Sequence, residues 1–324
     1  VGMDTKFDYA IIVKSKTRLE LLIERFNTKG QAKFYIENLG GDFSEYEREH
    51  DTFYEALNCV QKDLSTVLKN KIIDKAYLPS FIFSEKYLIV VVGRDGLVAN
   101  TAKYSKNCPI IAVNPDPENY DGVLLPFDVE TFSLITSDFG WDLIDFKTVH
   151  FAKVTLNDGQ ELLAFNDLFI GINSHASARY EINFEHQIEV QSSSGIIVST
   201  AIGATGWLSA VFNMAYGVVG SLEENLQAKQ PPQLSDKQLL FVVREPFKSV
   251  STQSNVVTGL IEEGRHLIIK SLMPTNGIIF SDGIESDFLK FNSGAVATIR
   301  ISEEKAVLVV LEDLLPDMPE WDDS

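Results

Sequence analysis

Six consecutive apolar residues, Tyr87–Val92 (YLIVVV), run without a polar alternate into Gly93-Arg94-Asp95-Gly96. A strand with no face to give to water belongs in a sheet covered on both sides, which is the condition of a parallel α/β sheet. Residues 97–105 then read as a helix and Pro109–Val113 as the next strand, so the chain crosses over and returns parallel. Upstream, residues 9–13 are a further apolar strand. Leu19, Leu22, Ile23 and Phe26 place a helix over 17–29 that ends before Gly30, and residues 32–36 read as a second strand. Residues 45–70 carry Phe53, Leu57, Val60, Leu64, Val67 and Leu68 at helical spacing, with acids early and lysines late, as the helix dipole favours.

After Asp145 the pattern changes to short β runs at 149–156, 161–166, 168–172, 188–191 and Ile196–Ser199, with Asn157-Asp158-Gly159 as a hairpin turn. One helix, 205–216, interrupts them. Runs at 239–243, 266–270, 277–280, 295–301 and 306–311 continue the β pattern. The expected fold is an α/β N-terminal domain with a doubly wound, mostly parallel sheet over 3–145, and a β-rich domain over 146–313. An acidic tail, 314–324, follows and is held only by Trp321. Val1 and Gly2 stand before Met3 and are read as additions.

Charge narrows the partners. Twenty-eight Lys and Arg face 46 Asp and Glu, a net charge of −18, so the surface field repels nucleic acid and anionic lipid. No apolar run approaches the ~20 residues of a membrane span. Two separated cysteines, Cys59 and Cys108, suit a reducing compartment and read as small buried hydrophobes. The expectation is a cytoplasmic protein without nucleic-acid or membrane partners.

In an open α/β sheet, ligands bind beyond the carboxyl ends of the strands. At Gly93-Arg94-Asp95-Gly96 the glycines would let backbone amides approach a phosphate, and Asp95 could take a proton from a hydroxyl or help hold a metal ion. The same four residues also suit a tight turn with Asp95 capping the helix. Asn166-Asp167 could grip the vicinal hydroxyls of a ribose or form an Asx turn. The small and hydroxylated residues of 199–207 could admit a nucleotide, or Thr205 could cap the helix with Trp207 in the core. Asp282-Gly283 is by itself a turn, and Asn114-Pro115-Asp116-Pro117 a stiff connector that could wall a cleft. The five histidines show no ligand spacing, and no Walker A, GxSxG or GxGxxG sequence occurs.

Four of these segments occur together in the order used by the NAD kinase family, which the chain resembles. The family's GGDG looks like Gly93 to Gly96, its Asn-Glu pair like Asn166-Asp167, its Gly- and Thr-rich strand-to-helix segment like Ser199 to Trp207, and its late Asp-Gly like Asp282-Gly283. The closest similarity is to the branch containing the mitochondrial NAD kinase, through Ala112 to Pro117, Asn166 to Ile170, Arg179 to Ile182, Ser193-Ser194-Gly195 and Phe291 to Ala295. The N-terminal third matches in architecture only.

The resemblance implies transfer of the γ-phosphate of ATP to the 2′-hydroxyl of NAD, giving NADP, at a site between the two domains. Asp95 would be the base or metal-side carboxylate, and Gly93, Arg94 and Gly96 would meet the ATP phosphates. Asn166, Asp167, Thr200, Gly203, Thr205 and Trp207 would bind NAD, with Asn114, Arg179 and Asp282 bordering the cleft. Mg²⁺ would bridge the ATP phosphates. A homodimer or larger assembly would follow the family's habit.

Three departures stand out. Arg94 replaces the second glycine of GGDG and could clamp the phosphate or block it. Asp167 is one methylene shorter than the usual Glu, and Ala204 with Gly206 loses a hydroxyl and a Cβ. A catalytically weak or silent dinucleotide-binding protein is the alternative these raise. A lipid kinase of the wider superfamily also shares the loop and the β domain, against the −18 charge.

Overall fold

The computed structural model describes residues 7–105, 107–137, 144–222 and 232–311. The leading Val1 and Gly2 and the expected tail with Trp321 lie outside the described residues. The chain forms two compact units, one running to Thr148 and resuming at Ala306, the other Val149–Lys305. The division into 3–145 and 146–313 makes no allowance for that return of the C-terminal strand to the first unit.

The first unit is α/β. Strands β1 (Tyr9–Lys14), β2 (Asn70–Asp74), β3 (Tyr87–Val92) and β4 (Pro109–Val113) are parallel in the order β2-β1-β3-β4. Residues 307–308 of the long strand that ends at Leu311 pair parallel with β4. Ala10 to Val13 and Leu88 to Val92 are 1% exposed or less, the double-sided burial that the unalternating apolar runs demand.

Helix α1 (Arg18–Phe26) opens on a capping box, in which Thr17 accepts the Glu20 N–H and Glu20 accepts the Thr17 N–H. It ends at Asn27, whose φ of 63° supplies the left-handed residue expected of Gly30. Thr28 then caps α2 (Lys29–Asn38) by accepting the Gln31 N–H at 3.1 Å. The β-like run 32–36 is therefore helical, and only its Ala32 is buried. Helix α3 (Phe43–Val67) packs Phe53, Leu57, Val60 and Leu64 into one core with Ile12, Leu88 and Val90. Helices α4 (Asp95–Ala102) and α5 (Val129–Thr136) follow β3 and β4. Cys108 is buried, donates to the Ser84 carbonyl, and has its thiol pushed up to about 11 by that burial. Cys59 is exposed on α3, which corrects the reading of both cysteines as core residues.

The second unit is β-rich, as expected. Its strands are the part of β5 (Ile144–Leu156) from Val149 on, β6 (Glu161–Ala164), β7 (Asp167–Ile172), β8 (Ala178–Phe184), β9 (Gln187–Ser193), β10 (Ile196–Ser199), β11 (Gln238–Val243), β12 (Thr258–Glu262), β13 (Leu267–Ser271), β14 (Gly277–Ser281), β15 (Ile284–Lys290) and the first part of β16 (Val296–Leu311). One layer is a six-stranded antiparallel sheet, β12-β11-β10-β7-β14-β15; the other runs β16-β13-β8-β9, with the β5–β6 hairpin on β16. Ile170, Val198 and Phe241 of the first layer share a core with Tyr180, Ile182 and Ile269 of the second. Gly159, at φ 87°, completes the Asn157-Asp158-Gly159 turn between β5 and β6. The runs at 295–301 and 306–311 form one unbroken strand. The single long helix of the unit's described residues is α6 (Trp207–Gly220), entered through a 3₁₀ turn at Gly203–Thr205. Among the described residues no helix is long and apolar enough to cross a membrane.

Candidate functional site

In the first unit the turn after β3 is anchored by the Gly93 N–H, which donates to the Val113 carbonyl of β4 at 3.3 Å. Gly93 is buried, and a Cβ there would stand 2.9 Å from Leu97 Cδ2. Arg94 occupies the cap position of α4 with extended backbone and gives the helix no side-chain bond. Asp95 does not cap either. It is the first helical residue, and its Oδ1 accepts the Leu124 N–H at 2.8 Å. That is the only hydrogen bond of its carboxylate among the described residues. The space beside Gly96 is open to 4 Å.

The segment that brings Leu124 to Asp95 is folded by Asn114. Its buried side chain accepts the Asp116 N–H at 3.0 Å and donates to the Tyr120 carbonyl at 2.9 Å. The Asn114-Pro115-Asp116-Pro117 connector is thus an Asx turn, which carries Tyr120 to the Arg94 side chain. The Arg94 guanidinium donates to Tyr120 Oη, lies 4.1 Å from the centroid of that ring, and donates to Glu49 Oε1 of α3 at 3.2 Å. Glu49 also pairs with Arg18. Nothing in the local sequence around Arg94 signals Glu49, 45 residues earlier, or Tyr120, 26 residues later.

The second unit gathers three distant segments. Asp282, at φ 54° in the β14–β15 turn, accepts the backbone N–H groups of Phe165 at 3.1 Å and Asn166 at 2.6 Å, with that of Asp167 at 3.4 Å. Thr200 Oγ1 donates to the Phe165 carbonyl at 2.7 Å, and the Thr200 N–H donates to the Asn166 carbonyl at 2.9 Å. Thr200 Oγ1 in turn accepts the Gly203 N–H at 3.2 Å. Gly203 is obligatory, because a Cβ there would fall 2.1 Å from the Asn166 carbonyl oxygen. Asp282-Gly283 is therefore a turn and also a clamp on the peptide groups of 165–167.

This scaffold holds Asn166 and Asp167 entirely by backbone, leaving both side chains without a hydrogen-bond partner among the described residues. Asp167 is 9% exposed. Burial first, and the Asp282 charge second, push its carboxyl up to about 7. A carboxyl so poised can accept or donate a hydrogen bond to a sugar hydroxyl near neutral pH.

The remaining expected residues are less closely gathered. Thr205 is exposed and does not cap α6, whose N-terminal position is Gly206. Trp207 is half-buried, stacked on Phe169 with centroids 5.6 Å apart, and Arg244 lies 5.3 Å from its ring centroid. Arg179 is exposed on β8, in the other layer of the unit, with no side-chain hydrogen bond or ion pair among the described residues. No group of three or more His, Cys, Asp and Glu side chains suited to a metal ion occurs among the described residues. A magnesium ion bound chiefly through a ligand's phosphates would need only one or two protein carboxylates with water, and the Asp95 oxygen that makes no hydrogen bond among the described residues could supply one.

An α/β unit built on a parallel sheet, followed by a β-rich unit, defines the fold class. It is the fold of an NAD kinase from Archaeoglobus fulgidus, solved in complex with ATP, at a TM-score of 0.55, 16% identity and coverage of 95% of each chain. Yeast NADH kinase complexed with NADH has it too, at a TM-score of 0.55 and 13% identity, over 98% of this chain and 89% of that one. No family model matches the sequence, and no curated protein matches it.

Proposed function

We propose that the protein is an NAD kinase, transferring the γ-phosphate of ATP to the 2′-hydroxyl of NAD to give NADP and ADP. The observation that carries this reading is the convergence of Asn166-Asp167, Thr200–Gly203 and Asp282 on one scaffold that frees two ribose-binding side chains. The likeness to two kinases of NAD and NADH, along nearly the whole chain, supports it.

In this reading Asn166 and Asp167 hold the adenosine ribose, and the 200–207 segment lines the nucleotide pocket. Asp95 takes the proton from the 2′-hydroxyl as its oxygen attacks the γ-phosphorus and the bond to the β,γ-bridging oxygen breaks. Magnesium bound with the donor would spread the phosphate charge, held chiefly by the phosphate oxygens and water; Asp95 would be its protein carboxylate only as the alternative to acting as the base. The turn amides beside Gly96 receive phosphate oxygens. Incubation with NAD and Mg-ATP, read as NADP formed, tests the proposal. Arg94 in place of a family glycine favours one second reading, a dinucleotide-binding protein without transfer. Binding of NAD with no NADP formed would select it.

A further inference from the structure

In a chain with 46 acidic and 28 basic residues, two arginines converge on one carboxylate beside the β3–α4 turn. Glu49 offers Oε2 to Arg18 and Oε1 to Arg94. Each guanidinium also lies over a tyrosine ring, Arg18 at 4.7 Å from Tyr46 and Arg94 at 4.1 Å from Tyr120. The Glu49 side chain is 17% exposed, whereas those of Arg18 and Arg94 are 49% and 55% exposed. The acid is thus tucked under two half-open cations, and the cluster carries one more positive charge than negative, in the first unit alone.

A carboxylate spanning two guanidinium forks occupies the geometry that a phosphate would take there. We infer that Arg18, Arg94 and Tyr120 form a subsite for a terminal phosphate of a polyphosphate chain, and that Glu49 is the built-in anion a ligand must displace. The inference rests on the phosphate-donor reading of the neighbouring turn. It gives the departure at Arg94 a third meaning. The guanidinium stands off the turn, drawn aside by Glu49 and Tyr120, and reaches a phosphate only by exchanging one anion for another. Glu49 acts through the arginines as a positioning residue, and its charge sets the donor affinity.

Inorganic tripolyphosphate, titrated calorimetrically into the full chain without NAD, isolates the subsite from catalysis. Glu49→Gln keeps the shape and removes the competing charge, so it should tighten binding by about two- to fivefold, the range of a half-exposed ion pair. Arg94→Gln and Arg18→Gln should each weaken it. In the Arg94→Gln background the gain from Glu49→Gln should shrink to that of the Arg18 pair alone, which a merely structural role for Glu49 would not produce. Higher salt should weaken tripolyphosphate binding more steeply in the parent than in Arg94→Gln. Unchanged or weaker binding by Glu49→Gln, with an unaltered melting temperature, overturns the inference. If that variant melts early, the two arginine variants decide, and parent affinity in both overturns it. Because no arm reads NADP, a protein that fails to make NADP can still confirm the subsite, and an active one can still lack it.

Discussion

A Cβ on Gly203 would lie 2.1 Å from the carbonyl oxygen of Asn166. The closeness is a consequence of Thr200, which bonds both the 165–166 carbonyls and the Gly203 N–H. Gly203→Ala must push the two segments apart and should cost about 1–3 kcal/mol of stability, the usual range for overpacking a tight site. Chemical denaturation checks the stability and NAD titration the site. A parent-like midpoint would mean that the segments separate without cost.

Asp282 supports the same peptide groups from the other side. Asp282→Ala leaves the Phe165 and Asn166 N–H groups without their acceptor and should destabilise the second unit by about 1–3 kcal/mol. It should also weaken NAD binding, since the Asn166 and Asp167 side chains lose their fixed backbone. Asn166→Ala is the contrast. Every hydrogen bond of Asn166 within the described residues is made by its backbone, so the melting temperature should hold while NAD affinity falls by about 1 kcal/mol.

The raised carboxyl of Asp167 makes stability fall as pH rises. The folded state holds the proton to about 7 while the unfolded chain releases it near 3.8, so the native state binds more protons across that window. Stability from this group is therefore present at the acid end and is lost through the window, on the order of 4 kcal/mol for full burial. Asp167→Asn should flatten that slope and melt higher than the parent above the window. Equal slopes by denaturation at several pH values would show that Asp167 titrates alike in the folded and unfolded chain.

Asp95→Asn keeps an oxygen for the Leu124 N–H, so the turn should survive. Turnover should drop by about 10²- to 10⁴-fold, the usual contribution of a general base. An unaltered rate would reduce Asp95 to the residue that ties down the 114–127 segment.

The legible parts of the fold were those with strong local patterns. Tyr87–Val92, Pro109–Val113 and Ile196–Ser199 need no tertiary information, because short runs rich in β-branched residues and bounded by turn residues select a buried strand over a helix. Residues 32–36 misled because β-rich composition there is outvoted by the Thr28 cap, and Phe34 ends 72% exposed, with no sheet face to fill. The separate runs at 295–301 and 306–311 are one strand, which passes through the polar Ser302-Glu303-Glu304-Lys305 without a break. β8 alternates buried residues with exposed or half-buried ones from Ala178 to Phe184, a period of two that the sequence itself carries. At the site, short motifs marked Asp95, Asn166, Asp167 and Gly203 as segments of interest. What binds them together, Asp282 to Asn166 across 116 residues and Arg94 to Glu49 across 45, leaves no trace in local spacing.

The most direct measurement is product formation by the purified protein with NAD, ATP and Mg²⁺, the product resolved from NAD and assigned as the 2′-phosphate. The account predicts NADP in proportion to enzyme, with ADP formed in equal amount. No NADP or NADPH from NAD or NADH, with ATP or polyphosphate as donor and the fold intact, would contradict it.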